Sequence, residues 1–302
     1  MLYSPDIVCV GDIMVEFILP QPSLPPPDTT LVIDPWVHQV GGPAYNICWH
    51  LSNLGRHPLL VGTFGNRGRS TIEDALTEAK LDNTGLIGLD SDTDTLVSLL
   101  VERHHHSIYL RSAIPESISE EIISKCGSPK LLVLTGSRHI TIRTAMRKLS
   151  INFEGELLVF NPSYAVYEYR REELVELIAN SNVVLANEQE LRHLCKLLDT
   201  EPEALAKMIR GRLLVTQGER GLQIYEKDGI TSLTAHSSAM SNTIGAGDAF
   251  LAGFLHEDLK CSPTIEAANF GLALASIVVE SSSIRPRITE DQVRHKLPRN
   301  RG

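Results

Sequence analysis

Along the chain, short apolar runs alternate with longer stretches in which apolar positions recur every three or four residues. Six runs, 6–12, 58–65, 131–136, 156–162, 182–188 and 212–218, are nearly continuous in Val, Leu and Ile and end in glycine or polar residues. Runs of that length and composition predict strands buried on both faces. Between them, 43–54, 70–80, 117–125, 140–150, 171–180, 188–197 and 202–209 carry helical spacing, as do 247–257 and 263–280 further on. In the first, Ala44, Ile47, Cys48, Leu51 and Leu54 make one stripe, Pro43 suits a first turn and Gly55 a C-terminal cap. Residues 221–235 predict a hairpin around Asp228-Gly229. Strand-helix alternation with continuous apolar strands predicts an α/β fold, a mostly parallel sheet covered by helices on both faces. Ligands of such sheets gather beyond the carboxyl ends of the strands. Those ends carry Gly11-Asp12, Gly65-Asn66, Gly136-Ser137, Asn161, Asn187, Thr216 and Gly218.

Two stretches break the alternation. Residues 13–40 hold "LPQPSLPPPDTT", whose prolines exclude a regular helix, and 95–112 read "TLVSLLVERHHHSIYLRS". Both are rich in β-type residues. They predict either a small β-sheet lid built from two insertions or a pair of long surface loops. The expected division is a core of 1–12, 41–94 and 113–302 with a lid of 13–40 and 95–112. The run His104-His105-His106 lies in a predicted strand, where alternate side chains diverge, so a solvated strand face is expected there and not a metal site.

With 302 residues, 42% hydrophobic and 22% charged, the chain has the make-up of a globular protein with a sizeable core. A formal net charge of -9 speaks against nucleic acid or an anionic membrane as partner. Cys9, Cys48, Cys126, Cys195 and Cys261 are scattered without a CxxC pair, as in reduced cytosolic proteins. No stretch reaches membrane-spanning length, and "MLYSPDIVCVGD" lacks the features of a secretory signal, so a cytoplasmic location is expected.

The candidate chemistry sits on two glycine turns. In "SNTIGAGDAFLAGF", residues 241–254, Gly245, Ala246 and Gly247 lead into a helix beside a lone acid, Asp248. A helix start gathers unpaired N–H groups and suits a phosphate. The spacing is neither that of a Walker A loop nor that of a dinucleotide fingerprint. Asp248 alone reads equally as a helix cap. In "QVGGPAYNICWHLSNLG", residues 39–55, Gly41 and Gly42 expose backbone at a second helix start with Asn46 one turn in. A bare helix start explains the glycines; Asn46 at the same end adds a group for a ligand.

Taken in order, Gly41-Gly42, Asn46, Leu54-Gly55, Asn187-x-x-Glu190, Thr216-x-Gly218-x-x-Gly221 and Gly245-Ala246-Gly247-Asp248 resemble the PfkB carbohydrate kinase family, the ribokinase-like kinases. The resemblance runs from Gly11-Asp12 to the last long helix. It implies a three-layer α/β/α core with a small β lid, and ATP-dependent transfer of a phosphoryl group to a hydroxyl of a sugar or related polyol. In the motif Gly245-Ala246-Gly247-Asp248, Asp248 would be the base, and the N–H groups of Ala246, Gly247 and Asp248 an anion hole. Asp12, Gly41, Gly42 and Asn46 would hold the acceptor, with Ser137 either a further contact or a plain helix cap. Asn187 and Glu190 would organise Mg2+ and phosphate, or simply start a helix. Thr216, Gly218 and Gly221 would form the nucleotide loop, or an ordinary strand connection. A homodimer through the lid is also implied, with Leu96, Leu99 and Leu100 either at that contact or covering their own core.

The chain departs from the family pattern at four places. Asn242 replaces an acid that serves monovalent-cation binding, which puts such activation in doubt. Asn66-Arg67 replace paired acids, Asn161 replaces an acid in "FNPSYAVY", and "SSSIRPR" replaces a glycine-rich element. The acceptor is therefore left open. A nucleoside would need an apolar or aromatic slot, for which Trp36 and Tyr109 are candidates, although both could simply pack the lid. A non-catalytic ligand sensor of the same fold is the reading from another class.

Overall fold

In the computed structural model the described residues are 5–21, 27–30, 32–101, 104–236, 244–281, 283 and 285–297. Nine strands form the main sheet: β1 (Ile7–Val10), β4 (Pro58–Phe64), β5 (Leu86–Gly88), β8 (Leu131–Thr135), β9 (Leu157–Asn161), β10 (Val183–Asn187), β11 (Arg212–Thr216), β12 (Leu222–Glu226) and β13 (Gly229–Leu233). Their order is β13-β12-β11-β10-β9-β8-β1-β4-β5. Neighbours from β5 to β11 run parallel, and β12 and β13 add an antiparallel hairpin at one edge.

Strand alternation sorts the side chains into two cores. On one face Ile7 and Cys9 of β1 pack with α1 (Pro43–Asn53), α2 (Arg69–Ala79), α8 (Ala246–Asp258) and α9 (Thr264–Glu280). On the other, Val8 and Val10 pack with α3 (Ile118–Cys126), α4 (Ile140–Ile151), α5 (Arg171–Asn180), α6 (Glu188–Leu198) and α7 (Pro202–Met208). Both faces are buried, hence the unbroken apolar runs. The family-like α/β/α layering follows directly from that.

A second sheet stands apart from the first, with order β3-β2-β6-β7: β2 (Met14–Gln21), β3 (Val37–Gly41), β6 (Asp94–Val101) and β7 (His104–Leu110). Its strands come from the two stretches that broke the alternation, so these are not simply surface loops. The β2–β6 pairing is parallel and the outer pairs are antiparallel. Two elements escaped the periodicity. Three-residue β5 is too short to show any. Helix α10 (Glu290–Lys296) is polar nearly all round, burying Val293 alone, and is fixed by the Thr289–Gln292 capping box.

Candidate active site

The chain leaves β1 for β4 on one side and returns at β8 on the other, so the connections reverse between β1 and β8. The crevice beyond the strand ends opens there. Two cavities occupy it, of about 470 and 690 Å3, and they meet at Asn187, Thr216 and Gly247.

Helices α1 and α8 both begin at this junction. Gly42 has φ 102°, and a Cβ there would lie 2.2 Å from the Asp12 carbonyl oxygen, so no other residue fits. Gly245 begins α8 at φ 77°, and Ala246, Gly247 and Asp248 supply its first-turn N–H groups. Asn46 Nδ2 donates to Asp248 Oδ2 at 2.9 Å. Enclosure of the Asp248 carboxylate raises its pKa to about 7; the Asn46 bond opposes this, and the charges of Glu16 and Glu190 add to it. Gly42, Asn46, Gly245, Gly247 and Asp248 all line the smaller cavity.

The second sheet roofs that cavity with Met14, Glu16, Ile18, Leu96, Ser98, Ser107 and Tyr109. Glu16 is only 6% exposed, accepts from Gln39 Nε2 at 2.9 Å, and occupies the space a side chain at Gly41 would need. Sequence reasoning passed over Glu16. The available signal was an acid at an inward position of the otherwise apolar Met14–Ile18 alternation.

On the other side, Gly218 and Gly221 line the larger cavity with Ala246 and Gly247. Gly221 has φ 105°, and a Cβ would meet the Leu233 carbonyl at 2.0 Å. Asn187 ends β10 and caps α6: its Oδ1 accepts the N–H groups of Gln189 and Glu190, and Glu190 Oε2 accepts that of Asn187. Both residues line the smaller cavity. Enclosure raises the Glu190 pKa, against the pull of the Asn187 N–H.

Three expected acceptor residues do not reach the cavity wall. Asp12 is 1% exposed, with its carboxylate bonded to Ser137 Oγ, to Arg138 N at 3.1 Å, and to the hydroxyls of Tyr164 and Tyr109 at 2.7 and 3.3 Å. Ser137 is fully buried in the same network. Gly41 makes room for Glu16 instead. Asp12 and Ser137 lie behind the two tyrosines, which line the cavity and turn their hydroxyls onto Asp12, a cover that sequence spacing does not reveal. Asp94 extends the network, accepting from Tyr109 at 2.6 Å and pairing with His139 Nε2 at 2.6 Å. Burial and the Asp94 charge raise the Asp12 pKa. For Asp94 burial acts the same way but is outweighed by His139, and its pKa is lowered.

Arg138 joins the wall, its guanidinium 4.9 Å from the Tyr109 ring and 5.3 Å from that of Tyr164, with Glu168 at 3.0 Å. Trp36 does not join it; it is 51% exposed and stacks on Phe17. Leu96 faces the cavity, and Asn161 lines it at the end of β9. Asn66 bonds Asp90, and Arg67 pairs with Asp92. Arg285 of "SSSIRPR" lies over the Tyr45 ring at 4.9 Å. Asn242 lies outside the described residues.

An α/β/α sheet roofed by a second small sheet, with helix starts converging at the strand ends, is the architecture of ribokinase-like kinases. The solved nucleoside kinase of Methanocaldococcus jannaschii superposes with TM-score 0.84 at 21% identity, over 96% of this chain and 97% of that one. The Burkholderia thailandensis nucleoside kinase in complex with inosine gives 0.85 at 17%, over 95% of each. By sequence, the nucleoside kinase of Methanothermobacter thermautotrophicus is 24% identical over 290 residues, 94% of this chain and 93% of that one. The chain belongs to the pfkB family of carbohydrate kinases, which it matches over residues 4–290.

Proposed function

We propose that the protein transfers the γ-phosphoryl group of ATP to a hydroxyl of a sugar-bearing small molecule. One observation carries this reading: the Asp248 carboxylate, held by Asn46, stands in the first turn of α8 where two cavities meet. The larger cavity takes the nucleotide and the smaller one the acceptor. Asp248 accepts the hydroxyl proton as the acceptor oxygen bonds to phosphorus and the bridging oxygen leaves with ADP. The N–H groups at Gly245–Asp248 face the charge that develops on the phosphoryl oxygens. Asn46 holds the base, and Glu16, Gly42 and Asn161 hold the acceptor. Asp12 and Ser137 act behind the wall by positioning Tyr109 and Tyr164. Thr216, Gly218 and Gly221 cradle the nucleotide.

A divalent cation fits the donor set: Asp248 and Glu190 line one cavity, and the Glu190 charge adds to the raised Asp248 pKa. Glu190, oriented by Asn187, would hold Mg2+, which when bound neutralises the nucleotide's phosphates. The second sheet acts as a lid that excludes water.

A nucleoside acceptor is favoured by the aromatic wall, Tyr109 and Tyr164 with ring centroids 5.9 Å apart and Arg138 against both. The Burkholderia thailandensis neighbour is a nucleoside kinase solved in complex with inosine. Ile108 and Leu110, both exposed on β7, give the lid an apolar outer face that a second copy of the chain would cover. No described helix is long and apolar enough to cross a membrane, and a need for ATP supports a cytoplasmic enzyme.

The test is ADP release over a panel of sugars and nucleosides. Turnover with a nucleoside or sugar that disappears in Asp248→Asn, with ATP binding retained, supports the reading. Tight binding without turnover of any acceptor favours a sensor.

A further inference from the structure

Four charged side chains line the smaller cavity: the carboxylates of Glu16, Glu190 and Asp248 and the guanidinium of Arg138. The one cation is already engaged, lying against the rings of Tyr109 and Tyr164 and pairing with Glu168 at 3.0 Å. In the reading above Asp248 takes the proton and Glu190 faces the nucleotide's metal. Glu16 is the acid left over, and it faces the acceptor from the lid.

Strand pairing in the lid fixes where that charge stands. Glu16 of β2 is opposite Gln39 of β3 on one side and Leu96 of β6 on the other, and Leu96 is opposite Tyr109 of β7. At about 4.8 Å per strand, Glu16 and Tyr109 are roughly 10 Å apart along one row. The next row, Ile18, Ser98 and Ser107, adds a neutral hydroxyl pair at 3.0 Å. Gln39 Nε2 donates to Glu16 Oε2 at 2.9 Å, and the bare Cα of Gly41 gives the carboxylate its place. A carboxylate accepts several hydrogen bonds, and Gln39 provides one. Burial lowers the Arg285 pKa against the pull of Tyr45 and Glu16, but its guanidinium lies over the Tyr45 ring and outside the cavity wall. It therefore puts no cation against the acceptor.

An acceptor that stacks on Tyr109 and Tyr164 reaches along this row toward a carboxylate that is almost fully buried. A hydroxyl or amine N–H there gains a charge-assisted bond. A phosphate or carboxylate there meets a like charge, which in an enclosed site costs about a hundred-fold or more in affinity. We propose that Glu16 makes the enzyme select acceptors that offer an O–H or N–H donor to the lid and carry no anionic group, neutral sugars and nucleosides over their phosphorylated forms. This inference rests on the smaller cavity holding the acceptor, as in the reading above.

The test pairs ribose, fructose and inosine with ribose 1-phosphate, fructose 1-phosphate and inosine 3′-monophosphate, each of which keeps a terminal hydroxymethyl group. Calorimetry with the full chain gives Kd, and ADP release gives kcat/KM. Each neutral member should be preferred about a hundred-fold or more over its phosphorylated partner. A steric bar would give the same preference, and Glu16→Gln separates the two causes by keeping the shape and removing the charge. In that variant the neutral member should weaken roughly ten-fold and the phosphorylated one should not, so the ratio narrows by about ten-fold or more. A wild type that binds a phosphorylated member as well as its neutral partner overturns the inference, as does a ratio unchanged in Glu16→Gln. If Glu16→Gln does not fold, Ser107→Lys, which sets a cation on the same cavity wall, should narrow the ratio, and an unchanged ratio overturns the inference. Turnover of a phosphorylated sugar defeats the selectivity and leaves phosphoryl transfer standing, whereas a protein that turns over nothing can still show the binding preference.

Discussion

Asn46 Nδ2 donates to Asp248 Oδ2 at 2.9 Å, joining the first turns of α1 and α8 across 202 residues of sequence. The bond favours the ionised carboxylate, while burial favours the protonated one and raises the pKa to about 7. A base must be ionised to accept a proton, so activity should climb with pH and level off above the Asp248 pKa. In kcat/KM measured from about pH 5 to 9, the acid limb should inflect near 7 in the wild type. Asn46→Ala removes the opposing bond and should move that limb to higher pH. A limb that stays in place in Asn46→Ala would show that another group sets it.

Glu16 acts on the same base from above. Its charge adds to the raised Asp248 pKa, and its carboxylate lines the acceptor cavity. Glu16→Gln keeps the side-chain shape but removes the charge. The acceptor KM should rise by roughly ten-fold or more, the loss of a charged hydrogen bond. The Asp248 limb should move to lower pH, opposite to its movement in Asn46→Ala. ATP affinity, measured by calorimetry, should not change.

The fold was largely legible because it is written in local patterns. Continuous strands such as Leu131–Thr135 and striped helices such as Pro43–Asn53 stand out without any tertiary information. The meeting of Asn46 and Asp248 is a tertiary fact, but each sits in a glycine-led helix start that motif order singles out. Asp12 shows where this reasoning stops. A polar residue at a strand end reads as facing the ligand, and nothing local shows that Tyr109 and Tyr164, 97 and 152 residues further on, cover it. Glu16 was hidden the other way, as one acid in an apolar strand whose inward face appears only once the lid is built.

The Asp12 network should behave as a structural latch between the lid and the core. Asp12→Ala deprives Ser137, Tyr164, Tyr109 and the Arg138 N–H of their common acceptor. Urea denaturation should register a loss of more than about 2 kcal/mol. The pH dependence of the Asp94–His139 pair follows from the lowered Asp94 pKa. A group with a depressed folded pKa contributes stability that is present above its unfolded value, 3.8, and lost as pH falls through the folded one. The difference in stability between the wild type and His139→Ala should therefore be present above about pH 4 and shrink as the pH falls below it. A difference constant with pH would mean that the pair holds the lid by shape and not by charge.

Two glycines of the candidate site should respond to alanine in opposite ways. At Gly221, φ is 105° and the added Cβ would sit 2.0 Å from the Leu233 carbonyl and 2.6 Å from the Ala235 nitrogen, both backbone atoms that cannot turn aside. Gly221→Ala should cost several kcal/mol and lower Tm whatever it does to catalysis. At Gly247, inside the first turn of α8, a Cβ meets nothing within 4 Å. Alanine there is free of strain and a better helix former, by up to about 1 kcal/mol, so Tm should hold or rise. Yet Gly247 lies where the two cavities join, and a methyl group would take space needed by the transferring phosphoryl group. Gly247→Ala should keep its fold and lose more than ten-fold in kcat/KM for ATP, roughly the effect of one misplaced oxyanion contact. Full activity in that variant would remove the phosphate from the start of α8, and with it the assignment of Asp248 as the base.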